Sequence, residues 1–395
     1  MVKAWTNTPL GKVADIKTGP FDSTLHASDY VNLGTPIITV EHLGEYSINH
    51  INLPMVSDSD KKRLSAYILQ KGDIVFSRVG SVDRNAYVTS QEDGWLFSGR
   101  LLRIRTLESC ILNSRYPGYY FSFEPTRTRI RSVAVGQTMA PLNTKLLKSF
   151  IVGFPLLCEQ RRIAEALSNT DAMLSSLEKL IAKKKAIKQG AMQELLTGRK
   201  RLAGFRGNWI EKPLEQIIRI RQERINPHEH EKTKCVELEH VEPRTGRLLS
   251  PVDSWNQASL KAMFQNGDIL FGKLRPYLRK FYYASFNGLC STEFWVFTAF
   301  DDAINNQYIY HLVQTDQFLE IANSTTGTKM PRADWSLMKD ATFCLPVDIS
   351  EQNAIASLLQ DMSSEVYALE QDLIKHHQIK QGMMQQLLTG RTRLV

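Results

Sequence analysis

Cysteine is scarce. The 395 residues hold five (Cys110, Cys158, Cys235, Cys290, Cys344), an odd number, widely scattered and without a Cys-x-x-Cys pair. That argues against a disulfide frame or a zinc site and reads as reduced thiols in a cytoplasmic protein. Long apolar runs are missing too. None approaches the ~18 residues that span a bilayer, and the start, MVKAWTNTPLGKV, has no signal-peptide core. No Gly-x-Gly-x-x-Gly, Walker lysine loop or Gly-x-Ser-x-Gly occurs. The Asn-Pro-Pro-aromatic tetrapeptide of amino-methyltransferases is absent, and Asn226-Pro227-His228 does not fit it. His228-Glu229-His230 has metal-ligand spacing but lies in a polar stretch with no further Cys/His ligand group nearby, so a solvated loop is expected. The chain is therefore expected to have no catalytic residue, no metal and no cofactor of its own.

What is present is a repeat. Glu159 to Leu202 recurs as Glu351 to Leu394 at a constant offset of 192, with 21 identities over 44 positions. Such a period fixes the reading of everything else. Ile163, Leu167, Thr170, Leu174, Leu177 and Ile181 are spaced 4, 3, 4, 3, 4, as are Ile355, Leu359, Met362, Val366, Leu369 and Leu373. This is the narrow seam of a coiled coil. A stutter then follows, with apolar positions expected to resume at Ile187, Ala191 and Leu195, and at Ile379, Met383 and Leu387. Gly198 and Gly390 mark the helix ends. The first copy has 10 Lys/Arg against 5 Asp/Glu and the second 4 against 5, which favours pairing of one copy with the other.

The stretches before each helix look like diverged copies. Trp5 and Pro9-Leu10 correspond to Trp209 and Pro213-Leu214. Gly72-Asp73-Ile74-Val75-Phe76 corresponds to Gly267-Asp268-Ile269-Leu270-Phe271. Short β-like runs separated by turn residues, with a helical stretch near 116–131, predict a mixed α/β (α+β) fold. The expected boundaries are a globular domain at 1–155, a helix at 156–202, a second globular domain at 203–346 and a second helix at 347–395.

Formal charge is +8 and pI about 9.1, a weak pointer to a polyanion. The cations cluster. Lys273, Arg275, Tyr277, Arg279 and Lys280 crowd one loop after a β-run, and Arg78, Ser81, Arg84 and Asn85 hold the corresponding place in the first half. Gln137, Thr138 and Asn143 correspond to the region of Lys329 and Arg332. Such side chains suit both phosphate contacts and base edges. A solvated surface loop is the plain alternative for each cluster, and the paired placement favours DNA.

The sequence resembles the specificity subunit of type I restriction-modification systems over essentially its whole length. The resemblance rests on Gly19-Pro20-Phe21 with Ser23, on His26-Ala27-Ser28-Asp29-Tyr30, on Gly34-Thr35-Pro36 and on Lys273 to Leu278. Glu159-Gln160-Arg161-Arg162-Ile163-Ala164 and the two Leu-Leu-Thr-Gly-Arg helix ends complete it. Asp22 departs from the family, which often has Gly there. The resemblance implies two target recognition domains, each reading half of a bipartite double-stranded DNA site. It implies antiparallel helices that set the spacer, two modification (methyltransferase) subunits that carry S-adenosylmethionine, and restriction/translocase subunits. A coiled-coil scaffold with protein-binding globular ends is the alternative. A stand-alone methyltransferase or nuclease is disfavoured by the missing motifs.

Overall fold

The computed structural model describes residues 5–20, 24–44, 46–107, 115–135, 142–229, 231–324 and 330–394. The chain forms two units, one of Met1–Leu177 with Asp372–Val395 and the other of Glu178–Gln371. The divisions fall inside the two long helices, Leu157–Leu196 and Ile349–Leu387, so each unit takes in a part of both.

The first unit is built on an antiparallel sheet ordered Ala14–Thr18, Leu101–Thr106, Ile74–Ser77, Asn85–Tyr87. The second repeats it as Ile218–Ile220, Phe294–Ala299, Ile269–Gly272, Phe281–Tyr283. Alternation along the central strand explains why the Asp-Ile-x-Phe runs match. Ile74 and Phe76 face one apolar cluster while Val75 faces another; Ile269 and Phe271 do the same on either side of Leu270. A second sheet flanks each, with a parallel pair at Thr35–Ile38 and Leu96–Phe97 and at Lys234–Val236 and Gly288–Ser291. The helical stretch expected near 116–131 is two helices, Arg115–Ser122 and Glu124–Val135.

The motif glycine Gly19 has a packing cause. A Cβ there would lie 2.1 Å from the carbonyl oxygen of Ser98, a distance only hydrogen can occupy.

Within each unit the helix segments run antiparallel. In the first, Arg393 pairs with Glu159 and Lys380 with Asp171; in the second, Arg201 pairs with Glu351 and Lys184 with Glu365, so the partner number falls as the residue number rises. Ile163, Leu167, Leu174 and Ile181 are buried, as are Ile355, Leu359 and Val366. Gly198 and Gly390 close the helices in the left-handed conformation, at φ +70° and +74°.

Beyond the stutter Leu195 and Leu387 are buried and Ala191 and Met383 pack against the cores, as the sequence expects, while Ile187 and Ile379 depart from it. Ile187 and Ile379 are 47% and 44% exposed, and the buried positions resume at Met192, Leu195 and Leu196 and at Leu387 and Leu388. The reason is a change of neighbour. Met192 and Leu195 pack into the core of the globular half, with Leu214 and Leu312, while Lys185, Lys188 and Gln189 line a polar cavity.

Candidate nucleic-acid interface

In the second unit the strand Ile269–Gly272 leads into Lys273–Lys280. This loop is shaped by two arginines, Arg275 and Arg279, both left-handed at φ +51° and +54°, around a turn of helix at Pro276–Leu278. For a non-glycine residue that conformation persists only where the surroundings fix it. They do so on both sides. Lys273 N–H donates to Glu293 O at 3.0 Å, and its carbonyl accepts from Ala333 N at 2.8 Å. Arg275 N–H donates to Pro331 O at 2.8 Å, and Arg279 O accepts from Arg244 N at 2.8 Å. Leu274 and Arg332 form a β-bridge. Two segments 56 to 60 residues apart in sequence, Lys273–Arg275 and Pro331–Ala333, are thereby one surface.

The side chains divide by exposure. Arg275 and Tyr277 are exposed. Lys280 donates from Nζ to Leu238 O at 2.6 Å, and Arg279 pairs with Asp316 at 3.1 Å. Arg332 forks onto Glu293 at 2.9 and 3.1 Å. Burial holds the Lys273 ammonium below its usual range, with Glu293 acting the other way. Arg275 and Lys280 line a cleft of about 610 Å³ with Glu237, Glu239 and His240.

In the first unit Ser77 leads into the loop that begins at Arg78. Arg78 O accepts from Leu142 N at 3.0 Å, so this loop, like its counterpart, is tied to the later segment. Ser81 is exposed. Arg84 reaches the carbonyl of Leu43. Asn85 does not sit as a base-reading side chain would. It is 2% exposed, donates to Phe121 O at 3.2 Å and accepts from Ser122 Oγ at 3.1 Å, which makes it part of the interior. Asn143 is occupied as well, capping the helix Thr144–Ser149 by accepting from Leu146 N at 2.9 Å. Gln137, Thr138, Lys329 and His230 lie outside the described residues.

Two residues were missed by sequence reasoning. Arg127 and Arg131 stand four apart on the helix Glu124–Val135 and both donate to Asp83 Oδ2, at 2.9 and 2.7 Å. With Ser81 and Arg84 they line a cleft of about 630 Å³. The run Thr126-Arg127-Thr128-Arg129-Ile130-Arg131 was the available signal; an i, i+4 pair shares one helix face.

The sequence profile of the family described as "Type I restriction modification DNA specificity domain" matches residues 2–189 and 244–377. The type I restriction enzyme EcoDI specificity subunit of Escherichia coli is 23% identical over 177 residues, 44% of this chain and 39% of that protein. The chain thus spans about 39% of that relative's length. The MjaVIII specificity subunit of Methanocaldococcus jannaschii is 20% identical over 300 residues, 70% of each. In fold, the chain is similar to the type I restriction-modification S subunit of M. genitalium, with TM-score 0.60 at 15% identity over 97% of this chain and 96% of that one.

Proposed function

Because the chain belongs to the type I restriction modification DNA specificity family, we propose that it is the DNA-specificity subunit of a type I restriction-modification complex. In this reading it is non-catalytic, acts in the cytoplasm and reads a bipartite, asymmetric double-stranded site, one half per globular domain (1–155 and 203–346). The helices at 156–202 and 347–395 set the unread spacer and dock two methyltransferase subunits. Those subunits bind S-adenosylmethionine and act on the flipped target adenine, and restriction/translocase subunits join them.

One observation carries this reading. In each unit the same sheet position launches a loop that begins with a cation, Arg78 or Lys273, and ties it by backbone hydrogen bonds to a second segment, at Leu142 or Ala333. Two supports of one design carrying different side chains (Arg84 and Ser81 against Arg275 and Tyr277) are suited to two different half-sites. The helices support the spacer role by length: 40 and 39 residues, about 60 Å at 1.5 Å per residue, more than the ~34–36 Å of one DNA turn.

The test is methylome sequencing of cells with and without this gene beside an active partner methyltransferase. Loss of one two-part N6-methyladenine motif is expected and supplies both half-sites and the spacer. An unchanged methylome would overturn the reading in favour of a protein-binding scaffold.

A further inference from the structure

The repeat lets each unit serve as a control for the other. In the first unit, Lys380 is fully neutralised. Its ammonium pairs with Asp171 Oδ1 at 2.6 Å and lies against the rings of Tyr46 and Tyr119, 5.9 and 6.0 Å from their centroids. The two rings stack at 4.3 Å, and Tyr119 Oη donates to Asp171 Oδ2 at 2.7 Å. Acid, base and aromatics close on one another.

The second unit keeps the lysine and loses the acid that pairs with it. At the offset of 192, Lys380 corresponds to Lys188 and Asp171 to Ser363. Ser363 Oγ turns back to donate to Leu359 O at 2.8 Å on its own helix. Tyr116 and Tyr308, both buried, fix the same offset for the helices Arg115–Ser122 and Asn306–Leu312, so Tyr119 corresponds to His311. The turn after the capping histidine is two residues longer in the second unit, closing at Val241 and Leu248 where the first closes at Leu43 and Ile48, and it brings Arg244 to the same cavity. The acid and the tyrosine bonded to it are thus replaced by a serine and a histidine.

The result is a cavity of about 370 Å³ with a surplus of positive charge. Five cations line it. Lys185 and Arg247 share Glu370, and Arg279 pairs with Asp316. Lys188 and Arg244 make no side-chain ion pair or hydrogen bond among the described residues, and Lys188 is half-buried. Burial first and the Arg247 charge second hold the Lys188 ammonium below its usual range, opposed by Glu370. Behind it His311 is 0% exposed, and neither ring nitrogen makes a well-formed hydrogen bond. Its ring is pushed down to about 3 by burial and then by the Lys188 charge, with the Ala356 backbone acting the other way. The histidine is therefore neutral and adds no charge. A half-buried ammonium whose one acid, Glu370, is already taken by Lys185 and Arg247 is costly, and the volume falls within the ~300–1,000 Å³ of small-ligand sites.

We propose that this cavity is a phosphate site, in which Lys188 and Arg244 bind a phosphate group that takes the place Asp171 fills in the other unit. An arginine fork beside a lysine point charge is suited to a tetrahedral oxyanion. The phosphate comes from a free phosphate compound or from a DNA backbone, and the experiment separates the two.

The full chain is titrated with inorganic phosphate, and with chloride at matched ionic strength, while its melting temperature is followed. A saturable rise specific to phosphate is expected. Lys188→Gln weakens the apparent affinity about tenfold or more, the loss of one charge-assisted contact. Ser363→Asp, which installs the first unit's acid, abolishes the response and keeps the fold. Lys380→Gln leaves it intact. If Lys188→Gln leaves DNA affinity unchanged, the source is free phosphate; if DNA affinity falls in parallel, the source is the backbone. A wild-type response no larger than that to chloride overturns the proposal, as do Lys188→Gln and Ser363→Asp variants that respond like the wild type. The phosphate titration contains no DNA, so its failure leaves the DNA reading standing, and failure of the methylome test leaves this site standing.

Discussion

Arg393 lays its guanidinium along the Glu159 carboxylate, donating from Nε and Nη2 at 2.7 Å each to an acid only 1% exposed and 234 residues away in sequence. The repeat makes the same contact in the second unit, where Arg201 donates to Glu351 at 3.0 and 2.6 Å. The Glu-Gln that opens each helix and the Thr-Gly-Arg-x-Arg that follows it are the two parts of one clamp, and each clamp joins parts from different copies.

The clamp predicts an acid-sensitive component of stability. The Arg393 hydrogen bonds hold the Glu159 carboxyl below the usual carboxylate range. Its stabilisation is complete above the unfolded value, about 4.3, and is lost as pH falls through the lower folded value. Urea midpoints of the wild type and Glu159→Gln, followed from neutral pH to about pH 3, are expected to show a less stable variant with a shallower acid loss. Parallel curves would remove Glu159 from the linkage.

Asn85→Ala is expected to act on folding. It strips the amide from Phe121 O and Ser122 Oγ in the interior, at a cost of about 1–3 kcal/mol. Chemical denaturation reads the loss, while the recognised half-site is unchanged.

Gly246 lies at φ +70°, and a Cβ there would stand 2.2 Å from Tyr310 Oη. Both the backbone and the contact forbid a side chain. Gly246→Ala is expected to cost about 1–3 kcal/mol, seen as a lower denaturation midpoint; an unchanged midpoint would show that the turn at 244–247 yields freely.

Arg275→Ala is expected to weaken cognate DNA binding by about 1–3 kcal/mol, confined to one half-site, if the guanidinium meets a base edge. A uniform loss with a shallower salt slope identifies a phosphate contact. Equal binding at both half-sites takes the loop out of the interface.

One heptad inserted at matched places in both long helices adds about 10 Å. The methylated motif is expected to gain about three base pairs of spacer, at about 3.4 Å per base pair. An unaltered spacer in the modified motif defeats the ruler.

Much of this was legible in the sequence because its causes are local or repeated. The seam at Ile163, Leu167 and Leu174, the stops at Gly198 and Gly390 and the matched strands at Ile74 and Ile269 all follow from spacing. What escaped depends on neighbours far along the chain. Ile187 continues an apolar pattern and is nonetheless 47% exposed, because the core of the globular half takes up Met192, Leu195 and Leu196 instead. Asn85 and Arg84 are adjacent polar residues in one loop; only the approach of Phe121 and Leu43 turns one inward and ties the other down. Arg127 and Arg131 become an interface candidate only through Asp83, 44 and 48 residues earlier.

Leu387 and Leu388 stand in the same apolar cluster as Leu10 and Ile16, and this has a consequence in time. The second unit is continuous in sequence, whereas the first needs residues from both sides of it. On a ribosome adding about 5–20 residues per second, the 210 residues between Leu177 and Leu387 take about 10–40 s. The half made first therefore receives the last residues of its apolar cluster only after the second half has been synthesised whole.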